Sequence, residues 1–234
     1  MKTVAVMQSN YLPWKGYFDI INDSDLFLFY DEAQYTTFDW RNRNKIYTSN
    51  GLSWLTLPCG KKRTRRIDEV KMNPNIKWQE DHFNKLHTAY NNAPFYNQYK
   101  SFLEHIYFEK NWEYLSDLNQ YIIKFISSEF LGIKTTFGNS CDFESYGQKD
   151  EKMLSLLQST GCTHYVSGPS AKGYMNEEAY IKNGIEIIWK DYSGYPEYKQ
   201  LYEPFEHGVS IVDLLFNTGP DAPYYIWGWR EKNA

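Results

Sequence analysis

Apolar residues along this chain change their spacing several times, and each change marks an element. Thr3 to Met7 (TVAVM) is a short β-branched run that gives way to a polar, proline-containing stretch, Gln8 to Pro13. Tyr17, Ile20 and Ile21 then fall at i, i+3 and i+4, the spacing of one helix face, and Asn22, Asp23 and Ser24 close the segment. Leu26 to Tyr30 (LFLFY) is a continuous apolar run, as expected for a strand buried on both faces. The first 31 residues therefore predict a βαβ unit. The loop leaving its first strand then lies at the C-terminal edge of the sheet, where ligands of open α/β sheets bind.

Further along, Asn44 to Thr48 and Leu52 to Leu57 flank Asn50-Gly51, a strong hairpin signal. A basic run, KKRTRR at 61 to 66, precedes a short alternating piece, Ile67 to Met72. Residues 77 to 131 predict helices. Trp78, His82, Leu86 and Tyr90 form one stripe, Ala93-Pro94 breaks it, Phe102 and Ile106 begin a second, and a third helix spans Glu113 to Phe130 before Gly132. Strand and helix then alternate: strands near Lys134 to Phe137, at His164 to Val166 and at Ile185 to Trp189, with helices Gln148 to Ser159 and Asn176 to Lys182 between them. A last helix falls near Ser210 to Phe216. The pattern predicts an α/β fold with a parallel or mixed, Rossmann-like sheet, helices on both faces and a helical insert. Residues 1 to 234 read as one domain, with 77 to 131 the insert or subdomain.

Composition narrows the function classes. A net charge of −4 gives no global attraction for nucleic acid or anionic lipid, so any basic site must be local. Cys59, Cys141 and Cys162 are odd in number and widely spaced, which argues against a disulfide framework or a zinc site and for a reducing, cytoplasmic setting. No apolar run approaches the roughly 18 residues of a membrane span. The 43 aromatic residues (21 Tyr, 14 Phe, 8 Trp) are the unusual feature. Most sit on core stripes, but Tyr11, Trp14, Tyr17, Tyr35, Trp40 and Tyr174 fall in polar loops at predicted strand ends, and define a pocket for a sugar or base ring.

Polar chemistry concentrates in two places. TFDWRNRNKI, 37 to 46, brings Arg41, Asn42, Arg43 and Lys45 together beside Trp40: guanidinium forks suit phosphate or carboxylate, and amides suit hydroxyls. A solvated edge strand guarded by charge is the equal alternative. SGPSAKGY, 167 to 174, lies between a strand and a helix, so that backbone N–H groups with Ser167 and Lys172 can cradle an anion; a plain turn accounts for it equally well. Neither a Walker A sequence nor GxGxxG is present. The basic run reads as a solvated loop, the histidines show no metal-ligand pattern, and Cys59 reads as an incidental thiol.

Long motifs in a specific order carry a family resemblance. QSNYLPWKGYFDII (8 to 21), DLFLFYDEAQY (25 to 35), WRNRNKI (40 to 46), WLTLP (54 to 58) and AYNNAPF (89 to 95) are followed by HYVSGPSAKGYMNEEAY (164 to 180), GIEIIWKDY (184 to 192), YPEYKQ (195 to 200) and VSIVDLLFNTG (209 to 219). Nearly end to end, the chain resembles the WbqC-like family, which is associated with bacterial gene clusters for O-antigen and other surface polysaccharides. The resemblance implies cytoplasmic work on sugar-nucleotide or polysaccharide precursors. The first segment is also distantly similar to adenylyl-transferring nucleotidyltransferases, whose P-x-H-x-G-H loop opens a helix. Here Pro13-Trp14-Lys15-Gly16-Tyr17 carries no histidine at either place, which puts phosphoanhydride chemistry of that type in doubt.

Together these readings predict a transferase, or an amide-forming ligase, that acylates or aminoacylates the amine of a nucleotide-activated amino sugar. Asn10, Tyr11 and Trp14 line its ring pocket, with Arg41, Asn42, Arg43 and Lys45 on phosphate or hydroxyls. Asp31 or Asp213 is the base, since an amine must lose its proton to attack. An ATP-dependent ligase and a non-catalytic sugar-binding protein are the alternatives. The expected partner is a small nucleotide sugar, with no nucleic acid, no membrane insertion and no metal. The cofactor is unknown, and self-association into a homo-oligomer is left open.

Overall fold

The expected strands form a five-stranded sheet in a computed structural model that describes residues 1–232. Strand β1 (Thr3–Met7), helix α1 (Lys15–Asn22) and strand β2 (Leu26–Phe29) make the opening unit, with β1 and β2 parallel from Val4↔Leu26 to Met7↔Phe29. Strand β5 (Thr136–Asn139) joins the far side of β2, β6 (His164–Ser167) joins β1, and β7 (Glu186–Trp189) joins β6. The order is β5-β2-β1-β6-β7 and every pairing is parallel, which resolves the parallel-or-mixed alternative. This is a doubly wound order whose direction reverses at β1, between β1 and β6.

Side chains alternate along each strand, so the two faces bury different sets. Ala5, Phe27, Phe29 and Val166 face a large core built with α1 and α7 (Ile211–Thr218). Val4, Val6, Leu26 and Leu28 face a smaller one, against Leu156 and Leu157 of α5 (Lys149–Ser159) and Tyr180 of α6 (Glu177–Lys182). Helices thus cover both faces, and that is why β2 reads as an unbroken apolar run.

The chain between β2 and β5 forms a hairpin and three helices. Strands β3 (Arg43–Thr48) and β4 (Gly51–Thr56) pair antiparallel around Asn50-Gly51, where Gly51 takes φ 92°, open to glycine at little cost. Helix α2 (Trp78–Tyr90) is followed by α3 (Tyr96–Glu104), which widens into a π turn over His105–Glu109. Helix α4 (Leu115–Phe125) widens likewise over Ile126–Phe130, so the regular part of the third predicted helix is shorter than its apolar stripe. The alternating piece after the basic run is not a strand but a 3-10 turn, Ile67–Glu69.

Two buried carboxylates tie distant segments to this frame. Asp19 of α1 is fully buried and receives Arg230 through two bonds (2.9 and 2.7 Å), Lys190 (2.6 Å) and the Tyr195 hydroxyl (2.5 Å). Arg230 lies on the short helix α8 (Gly228–Lys232), so the end of the described chain is pinned to its first helix. Asp213 of α7 accepts the hydroxyls of Tyr90 (2.8 Å) and Tyr198 (2.7 Å) and the Gln200 amide (2.8 Å). Burial pushes its carboxyl upward, and these hydrogen bonds oppose the shift by holding the charged form.

Candidate functional site

The loop after β1 has almost every polar group committed to the protein. The Gln8 carbonyl accepts the Tyr17 hydroxyl (3.0 Å) and its side chain accepts Arg41. Ser9 donates its backbone N–H to Asp31 (2.7 Å), and Tyr11 donates its own to the Trp40 carbonyl (3.0 Å). The Tyr11 hydroxyl meets both His82 Nδ1 (2.8 Å) and the Tyr107 hydroxyl (2.6 Å), locking the loop onto the helical segment. Leu12 is held at φ 44°, an unfavourable region for a leucine, where the Asn44 amide bonds its carbonyl at 2.6 Å. Asn10 is the exception, since its side-chain amide bonds no described residue.

Asn10 points to a cavity of about 420 Å³ that it lines with Met7, Pro13, Trp14, Tyr17, Trp40, Asn44 and Gly208. The volume suits a substituted ring. A hollow of about 460 Å³ lined by Lys77, Glu80, Phe83 and Tyr107 is comparable in size, but it lies on the helical segment. The first is favoured by position, at the C-terminal end of the strand where the sheet order reverses. Its ring wall is built by close approach: a Cβ on Gly16 would come within 2.3 Å of the Trp14 indole, so only glycine lets that ring lie against the first turn of α1. Trp14 also meets Tyr192 (5.1 Å) and Tyr195 (6.2 Å) edge-on, which fixes its plane.

The hairpin supplies the opposite wall. Trp40 rests against Trp54 at 5.7 Å, and the Arg43 guanidinium lies over Trp54 at 4.0 Å with Phe38 at 5.4 Å. Lys45 lies on the same strand face, 5.8 Å from the Trp54 ring. Neither Arg43 nor Lys45 makes a side-chain hydrogen bond or ion pair with a described residue, and Arg43 Nε is buried without a partner. Arg41 bonds Asp39 (2.6 Å) and Gln8 through its terminal nitrogens, while its Nε, like that of Arg43, is buried without a partner.

The segment before α7 closes the third side. Ser210 donates its backbone N–H to the Lys45 carbonyl (2.9 Å) and Ile211 donates to the Pro13 carbonyl (2.9 Å), stitching this strap to the hairpin and to the first loop. Beneath it, Lys15 is buried with its amino group unbonded, among the rings of Tyr195 (4.8 Å), Tyr198 (5.5 Å) and Phe205 (5.9 Å). Burial lowers that amine from 10.5 to about 8, against the pull of Asp213, Asp19 and Glu197.

The residues singled out from sequence fall into two groups. Asn10, Trp14, Tyr17 and Trp40 line the cavity; Arg43 and Lys45 do not line it but lie next to it, both over Trp54, which Trp40 touches, and Lys45 also close to Gly208. Arg41 does not line it and bonds Gln8 in the loop after β1. Tyr11 is buried in the His82 network, Tyr35 is buried with the Arg65 guanidinium 5.5 Å from its ring, and Asn42 donates to the Leu57 carbonyl (3.2 Å). Ser167 is buried at the end of β6, Lys172 lies 5.4 Å from the Trp189 ring, and Tyr174 is exposed; none of these three lines the cavity. Asp31 borders a separate hollow of about 220 Å³ and accepts Ser9 N–H, Ser116 Oγ (2.6 Å) and Gln120 Nε2 (3.0 Å). Asp31 and Arg41 act electrostatically on the Tyr17 hydroxyl in opposite directions, while burial dominates and pushes that hydroxyl well up. Asn44, one of the polar groups of segment 37 to 46, is a cavity residue, and Gly208 is one that has no local signal in the sequence.

A doubly wound α/β protein with a ring-lined crevice at the reversal of its sheet is the class that these features define. The chain belongs to the WbqC-like protein family, whose profile matches residues 8–225. It is 44% identical over 233 residues to the uncharacterized protein Rv1507c of Mycobacterium tuberculosis, a match covering 99% of this chain and 100% of that protein. No solved structure matches. Among the described residues no helix is long and apolar enough to cross a membrane, and no three His, Cys, Asp or Glu side chains converge to hold a metal.

Proposed function

We propose that the cavity binds a nucleotide-activated amino sugar, and that the protein acylates or aminoacylates the sugar's amine in making surface-polysaccharide precursors. The observation that carries the reading is a set of uncommitted polar groups around a ring-lined cavity at the switch point. They are the Asn10 amide, the stacked Arg43 guanidinium and the Lys45 ammonium. An amide beside three rings suits a hydroxylated or heterocyclic ring, and two unpaired cations suit a diphosphate. The clustering of polysaccharide genes associated with the family supplies the biosynthetic setting.

The test is a thermal-shift and calorimetric series with uridine- and thymidine-diphosphate sugars. A ligand at 100 times its Kd adds about 2.7 kcal/mol of apparent stability. Nucleotide sugars should raise the melting temperature and Trp14→Ala should abolish the rise; the absence of any shift with every nucleotide sugar overturns the reading. A second reading, sugar binding without chemistry, is favoured by the state of Asp31 and Asp213, whose carboxylates already accept several internal hydrogen bonds. Incubation with an amino-sugar nucleotide and a thioester acyl donor separates the two, because only the enzyme adds the acyl mass to the sugar.

A further inference from the structure

We propose that Glu206, a residue no sequence motif marks, is the carboxylate that receives the ligand's ammonium group and takes its proton when the nitrogen attacks. The inference rests on the amino-sugar reading above and names the group that recognises the amine.

The geometry starts from Gly208, which lines the cavity. Glu206 Oε1 accepts the Gly208 backbone N–H at 2.7 Å, and its own backbone N–H donates to Gln200 Oε1 at 2.8 Å while its carbonyl accepts Gln200 Nε2 at 3.0 Å. The carboxylate is thereby anchored through one oxygen to the cavity wall. Its other oxygen bonds no described residue. A Cβ placed on Gly208 would stand 2.9 Å from Glu206 Oε1 and 3.9 Å from Lys45 Nζ, so this glycine leaves room for an acid and a cation to converge at the wall. No ion pair joins the two.

That arrangement differs from the other acids near the first loop. Asp31 has both oxygens occupied, one by Ser9 and the other by Ser116 and Gln120, and Asp213 likewise by Tyr90, Tyr198 and Gln200. Glu206 keeps a free oxygen on a half-buried side chain beside the cavity. A ligand carrying both an ammonium and a diphosphate fits a site that offers one uncommitted carboxylate oxygen and the uncommitted cations Lys45 and Arg43. A neutral sugar hydrogen-bonds these groups through its hydroxyls but matches the charge of neither. In the reaction one proton passes from the ligand nitrogen to the Glu206 carboxylate, and the freed lone pair forms the C–N bond at the acyl carbon of a thioester donor, whose C–S bond breaks so that the thiolate leaves and takes the nitrogen's second proton as the amide forms.

The experiment is calorimetric binding at pH 6.5 of a uridine-diphosphate 2-amino sugar and its N-acetyl counterpart to the full chain, the E206Q variant and the Gly208→Ala variant. The wild-type chain should prefer the free amine by about tenfold, the worth of one charged hydrogen bond. E206Q retains an oxygen to accept the Gly208 N–H, so it should fold and bind the N-acetyl sugar as before while losing the preference. Gly208→Ala should lose it too, by displacing the carboxylate. Preference retained in E206Q, or absent from the wild-type chain that binds the N-acetyl sugar, overturns the role of Glu206 and leaves the nucleotide-sugar reading standing. Failure of the wild-type chain to bind either compound overturns both.

Discussion

Asp19 and Glu206 are both acids in polar surroundings, yet they sit in regions built on opposite principles. Around Asp19 every carboxylate lone pair meets a donor: Arg230 in a fork, Lys190 and Tyr195. Around the cavity the side chains of Asn10, Arg43 and Lys45 and one oxygen of Glu206 make no hydrogen bond or ion pair with a described residue, the two cations resting only on aromatic rings. Saturated charges hold segments together, since removing one leaves its buried partners unpaired. Unsaturated ones beside a cavity are free to meet a ligand. A count of internal partners therefore separates scaffold from site where charge density alone does not.

The largest expected effect breaks the saturated side. Asp19→Ala strands Arg230 and Tyr195 and leaves Lys190 paired with Asp23 alone, and should destabilise the fold by about 3–5 kcal/mol, read from urea denaturation. A loss under about 1 kcal/mol would mean that the hub contributes little to the packing of α8 and the β7 strand end. His82, buried against Tyr11, provides the next test. Burial lowers its pKa from 6.5 to about 4, so between those values the unfolded chain binds a proton that the folded chain refuses. Stability should therefore fall as pH drops from 6.5 to 4, by about 2–3 kcal/mol at pH 4.5, and His82→Asn should remove that component of the acid loss.

Lys15 tests a group that is buried yet unsaturated. Its amine sheds its proton near 8 in the folded chain and at 10.5 in the unfolded one, so between these values the unfolded state holds more protons and stability should climb with pH. Lys15→Met should flatten that climb and raise stability at pH 7 by about 1–3 kcal/mol, since the methionine needs no partner among the rings of Tyr195, Tyr198 and Phe205. The smallest effects on stability belong to the rim. Asn10→Ala and Arg43→Met should change the unfolding free energy from urea denaturation by no more than about 0.5 kcal/mol, while each weakens nucleotide-sugar binding about tenfold. A rim variant that unfolds the protein would erase the distinction between the two regions.

Local signals carried much of the fold. The β-branched run at Thr3–Met7, the unbroken LFLFY, the Asn50-Gly51 turn and the alternation after residue 134 all became the elements their spacing predicts. Lengths were less legible where helix geometry changes. The π turns at His105–Glu109 and Ile126–Phe130 keep an apolar stripe while altering the backbone, and a stripe reports burial and not hydrogen-bond register. Within the site, Asn10, Trp14, Tyr17 and Trp40 were readable as rings and amides in loops at strand ends. Tyr11 and Tyr35 share that description, and both turn inward to the core.

By itself the sequence determined the α/β alternation, the family, and the loop that borders the cavity, because each depends on residues adjacent along the chain. Only the tertiary structure decided which polar groups are already spent. It also placed Gly208 on the cavity wall, with Glu206 bonded to it, beside a hairpin more than 150 residues earlier in the chain. Hydrogen bonding is a matter of distance in space: Asp31, Asp213 and Glu206 are chemically alike in sequence, and the number of donors that folding brings within reach of each makes them different.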